Sequence, residues 1–160
     1  MEFKNEVRYM KFSEKISNRL NELLAKTYDA EKGYKTAAEK VDMPSVKKFL
    51  TDKVRQRATF ANELKAEIME YGELPEKGGT FAGEVHRGWI NLKAALSSNQ
   101  NEQILEEVER GEKASLESYD DILKDSETVL PPSTEQLLTR QRNAIQAALN
   151  TSKMYEEIAS

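Results

Sequence analysis

Along most of this chain apolar residues return every three or four positions, a spacing that packed α-helices produce and strands do not. In the first segment Ile16, Leu20, Leu23, Thr27, Ala30, Tyr34, Ala37 and Val41 alternate four- and three-residue steps, the 3.5-residue seam of a helix buried along one side. Val46, Leu50, Val54, Arg57, Ala61, Leu64, Ile68 and Tyr71 repeat it in a second segment. A shorter third carries Val85, Trp89, Leu92 and Leu96, and a fourth carries Leu105, Val108, Glu112, Ser115, Tyr119 and Ile122. The fifth presents Leu138, Gln141, Ile145, Ala148, Ser152, Tyr155 and Ala159. Nothing alternates as a strand would, so the expected fold class is all-α.

Helix ends are marked as well. Pro44 suits a first turn, where its missing N–H loses nothing, and Gly72 suits a C-terminal stop. Thr80, Asn99 with Glu102, and Ser133 with Gln136 read as N-caps, the last as a capping box. The longest break is "GELPEKGG", residues 72–79. These marks predict four helices of about 25–28 residues (~40 Å) and one of about 18 (~27 Å) between the second and third of them. Residues 13–160 are expected to form one domain, with residues 1–12 an N-terminal extension striped by Phe3, Val7 and Met10. That pattern fits a four-helix bundle with a crossover helix running its length, the ferritin-like connection. An up-and-down bundle with the short helix across one end is the rival.

A bundle core is apolar, so polar residues on the inward rows carry information. Arg57, Glu112 and Gln141 lie on seams, and Glu31 lies in the row Leu24, Glu31, Ala38. Counted from a first turn near Met43, Glu31 comes 12 residues before and Arg57 14 after. With a full-length crossover, Glu112 is also about 12 residues into its helix, which puts the three at one height. The expectation is a buried polar layer of Glu31, Arg57, Glu112 and Gln141, with Arg57 held between the two carboxylates.

Carboxylate layers in bundles are also where di-iron proteins keep metal. That chemistry takes a Glu from each of two helices and Glu-x-x-His from each of the other two. This chain has one histidine, His86, and the residue three before it is Gly83. Arg57 adds a fixed positive charge where a cation would sit. No catalytic, cofactor-binding or metal-binding residue is therefore expected. The alternative is an atypical iron or manganese site built from Glu31, Glu112 and Glu109. A third class, a bundle that binds a small molecule, would show an apolar cavity beside the polar layer.

His86 and Trp89 frame an Arg-Gly pair in "HRGW". Trp89 is read as a packing residue, with His86 and Arg87 at the edge as packing or partner surface, and Gly88 as a close backbone approach. No strand-turn-helix elbow or Gly-rich phosphate loop is present to support nucleophilic catalysis or nucleotide binding. The net charge of −4 argues against nucleic acid, and zero cysteines exclude disulfides and thiolate metal sites. No apolar run is long enough for a membrane span, and the N-terminus lacks a signal-peptide core, so a cytoplasmic protein is expected.

The segments "YDAEKGYKTAAEKV", "FANELKAEI", "HRGWINLKAAL" and "ILEEVERGEKASLESYDDIL", in this order, resemble a bacterial family of ferritin-like four-helix-bundle proteins of unknown function. The resemblance implies a ferritin-like fold with the crossover connection and supplies no activity. Val108 and Leu149 stand where members of that family often carry a cysteine and a histidine. The expected function is a non-catalytic bundle acting by self-assembly, as a homo-oligomer, or by partner binding, with a link to stress physiology.

Overall fold

The computed structural model describes residues 2–77, 89, 91–98 and 100–160. Five helices follow one another: α1 (Glu2–Lys40), α2 (Pro44–Glu70), α3 (Leu92–Ser97), α4 (Asn101–Lys124) and α5 (Pro132–Ala159). No strand occurs among the described residues, and none of their helices is long and apolar enough to cross a membrane. The side chains of Phe3, Val7 and Met10 lie outside the described set, as do Thr80, Val85, His86, Arg87, Gly88 and Asn99.

The four long helices form a ring in which α1 packs on α2, α2 on α5, α5 on α4 and α4 on α1. Two polar contacts define how the chain runs through it. Asn101, opening α4, donates from Nδ2 to Asp42 Oδ1 at 2.6 Å and accepts the Asp42 N–H at 3.2 Å, so α4 starts beside the α1–α2 turn. At the opposite end Tyr71 meets Thr134 (2.5 Å), and Arg19 meets Asp125 (3.3 Å). Hence α2 and α4 run the same way on diagonal corners, and the connection between them travels the length of the ring. It leaves along α1, where Asn21 accepts the Glu76 N–H (2.9 Å) and donates to the Leu74 carbonyl (3.4 Å). It arrives with α3 packed on α1 and α4.

Several expected boundaries shift. α1 is one helix of 39 residues, about 58 Å at ~1.5 Å per residue, and is longer than the expected length of about 25–28 residues. Among the described residues the third helix is Leu92–Ser97, and the expected start at Thr80 lies outside them. Ser133 does not form the expected capping box: Pro131 holds the N-cap and Pro132 the first turn, where the fixed ring angle suits helix entry. Pro44 opens α2, and Gly72 follows its end at φ 79°, a left-handed angle that strains residues with a Cβ.

The core is divided in two. Near the α1–α2 turn, Ala30, Tyr34, Val46, Leu50, Leu105 and Val108 pack together. Toward the other end Leu20, Leu23, Phe60, Leu64, Tyr119 and Ile145 form a second cluster. The helix stretches between them bury polar side chains instead: Thr27, Arg57, Glu112 and Ser115.

Candidate functional site

Arg57 and Glu112 face each other across the diagonal of the ring and are 1% and 0% exposed. The guanidinium grips the carboxylate with two parallel hydrogen bonds, Nη1 to Oε1 at 2.5 Å and Nη2 to Oε2 at 2.6 Å. This fork-to-fork geometry is the strongest form such a pair takes. The guanidinium Cζ lies over the rings of Tyr34 and Phe60, 5.3 and 5.7 Å from their centroids, where the negative faces favour the cation. Burial works against the charge on Arg57. The adjacent carboxylate more than offsets this and holds its pKa above the usual arginine value.

Tyr34, fully buried, points its hydroxyl into the same region. It lies close enough for Glu112 and Arg57 to influence its ionisation, yet among the described residues it makes no hydrogen bond of ordinary geometry. Burial, followed by the Glu112 charge, raises its pKa well above the usual tyrosine value, so the phenol stays neutral. About two turns further along α4 the Tyr119 hydroxyl donates to Gln141 Oε1 at 2.7 Å. Gln141 Nε2 reaches the Phe60 carbonyl (3.4 Å) and Glu63 (3.2 Å), and Glu63 is bound in turn by Arg140 (2.6 Å). Burial raises the Tyr119 pKa as well.

The four residues expected in one polar layer therefore separate. Arg57 and Glu112 pair at the centre, and Gln141 belongs to a second buried network nearer the far end. Glu31 leaves the layer altogether. It is half-buried and lines an outer groove between α1 and α2 with Lys35, Lys47 and Arg55. Its neighbours in the row, Leu24 and Ala38, are buried, but a glutamate has the reach to carry its carboxylate from that row to water. Tyr34 and Thr27 are what α1 presents inward at this height. Both were legible as seam positions, but their periodicity alone says nothing about polar contacts.

Trp89 occupies a slot cut by two glycines. A Cβ built on Gly33 of α1 or on Gly111 of α4 would stand 2.7 Å from Trp89 Cδ2, closer than atoms tolerate. The indole also meets the Tyr34 ring edge-on, with centroids 5.4 Å apart. Thus the crossover is anchored between α1 and α4, directly against the residue that borders the ion pair. Sequence reading missed both glycines, although mid-helix Gly, which costs about 1 kcal/mol relative to Ala, was the available signal. His86 and Arg87 lie outside the described residues.

Glu109, the third carboxylate of the metal alternative, sits on the α4–α5 side. Lys113 approaches it at 3.0 Å, and it shares a hydrogen bond with Glu156 of α5. That bond, partial burial and the charges of Glu109, Glu106 and Glu102 push the Glu156 carboxyl up to about 7. A folded-state carboxyl raised above its unfolded value near 4.5 favours the fold at low pH, and that contribution fades as pH rises from about 4.5 to about 7. Glu156→Gln should remove this dependence, leaving the variant more stable than the parent at pH 8 and close to it at pH 4, by thermal melts. Equal pH profiles would refute the shared proton.

Glu31, Glu112 and Glu109 thus point to the α1–α2 groove, the core and the α4–α5 edge. Among the described residues no three His, Cys, Asp or Glu side chains converge to hold a metal ion. At the core a guanidinium fills both hydrogen-bonding oxygens of Glu112 and supplies the positive charge, so these residues do not fit a resident cation. The geometry defines an all-helical domain closed around an internal ion pair. The chain belongs to the family of the domain of unknown function DUF2383, whose model matches residues 15–125. Arg57, Trp89 and Glu112 fall inside that match, while Gln141 and Glu156 fall beyond it. No curated protein matches the chain.

Proposed function

We propose that this protein is a ferritin-like four-helix bundle in which an ion pair stands where other members of that fold class hold metal, and that it acts without catalysis, by self-assembly or by binding a protein partner. The parallel α2 and α4 with a full-length connection support the fold. The observation that carries the functional reading is the closed Arg57–Glu112 pair. A reactive centre needs open ligand positions or a polar group free to accept a proton or an electron pair. Here both carboxylate oxygens are occupied, and the adjoining phenols are held neutral.

The test is elemental analysis of protein purified from cultures supplemented with iron and manganese, with Glu112→Ala as control. Metal well below one ion per chain in both proteins is the expected result. Near-stoichiometric metal that vanishes in Glu112→Ala would overturn the reading and make redox chemistry the leading question.

A further inference from the structure

The two hairpins of the ring carry opposite charge. α1 and α2 together hold 15 Lys and Arg against 11 Asp and Glu, while α4 and α5 hold 6 against 11. The net values are +4 and −5, and excluding the buried Arg57–Glu112 pair leaves +3 and −4. Because the ring order is α1, α2, α5, α4, these pairs form opposite sides of the molecule.

The positive side has a shaped feature. Its groove runs between α1 and α2 over a floor of Ala38 and Val54, flanked by Lys35, Lys47 and Arg55 together with Glu31 and Glu39. Among the described residues none of these three cations makes an ion pair. The groove continues past Lys48, whose charge is met by Asp52 at 3.0 Å. On the opposite side, level with it, Glu102, Glu106 and Glu109 follow one another along α4 beside Glu156. Glu106 is exposed, and Lys113 is the cation that approaches this row in a direct ion pair. The groove thus carries three cations against two carboxylates, and the row on the other side carries four carboxylates against Lys113 and the nearby Lys153.

We propose that the α1–α2 groove is the docking site for the α4–α5 edge of a second copy of this chain. This rests on the self-assembly reading and gives it an interface. The two surfaces differ, so the contact is head-to-tail and propagates from copy to copy unless its rotation closes a ring. Interfaces of this type are steered by charge and weaken with salt.

Analytical ultracentrifugation of the intact chain at low and high salt tests it with three variants: Lys47→Glu with Arg55→Glu, Glu102→Lys with Glu106→Lys, and all four changes together. Circular dichroism verifies folding of each. The parent should associate at low salt and dissociate at high salt. Either face reversal should weaken association more than about tenfold, since like charges then meet, and the chain carrying both reversals should associate again. Association indifferent to the reversals, or no recovery in the fourfold variant, would overturn this interface and leave self-assembly standing. A parent that stays monomeric at all concentrations and both salts would overturn the self-assembly reading as well.

Discussion

Arg57→Met is expected to lower the melting temperature at pH 7 by about 6–20 °C. Methionine has similar bulk but removes both hydrogen bonds to Glu112, whose carboxylate is fully buried. The loss of about 3–5 kcal/mol comes from that stranded charge and not from the worth of the pair, because desolvation nearly cancels the attraction while both partners are present. A second variant separates the two quantities. Arg57→Met with Glu112→Leu removes the stranded charge and should recover most of the lost stability, with the Tyr34 and Phe60 rings packing on the new aliphatic groups. If the single variant melts like the parent, water reaches Glu112 and the centre is not closed. If the double variant is as weak as the single, packing rather than charge governs the layer.

Gly111→Ala should destabilise the protein by about 1–3 kcal/mol through overpacking, although alanine gains about 1 kcal/mol of helix propensity over glycine. The added Cβ would sit 2.7 Å from Trp89 Cδ2, so the indole must leave its slot. Trp89→Ala alone should cost about 3 kcal/mol by emptying that slot. In the Trp89→Ala background the sign for Gly111→Ala should reverse, because only propensity remains. Urea unfolding of the four proteins gives the full cycle. Trp89 is the single tryptophan, so a red shift of its emission in Gly111→Ala would report expulsion directly. A destabilisation that is the same with and without Trp89 would assign the glycine to some other contact.

Much of the fold was legible because helix periodicity is local. The inward rows of α2, α4 and α5 follow from residues three and four apart, and Leu50, Leu64, Leu105 and Ile145 are buried where that spacing puts them. Counting was equally decisive for the metal chemistry: one histidine cannot furnish two Glu-x-x-His motifs, whatever the tertiary structure. Helix ends were less legible. Ser133 has the right chemistry for a cap, but two prolines ahead of it set the entry of α5 first.

Which of the expected polar residues actually meet was decided by tertiary structure. Arg57 and Glu112 share a height only because the α2–α4 connection runs the full length, which the Asp42–Asn101 contact establishes. Glu31 occupied the correct row, yet its chain was long enough to turn outward to the groove, and nothing within a helical turn of it reveals that choice. Gly33 and Gly111 gain their meaning from Trp89, which reaches them from the crossover, far from either in sequence. The amino-acid sequence by itself determined the helices, their buried sides and the absence of a di-iron ligand set, since each depends on near neighbours or on composition. The ion pair, the indole slot and the separation of charge onto opposite faces were decided by packing, which joins residues that local spacing leaves unrelated.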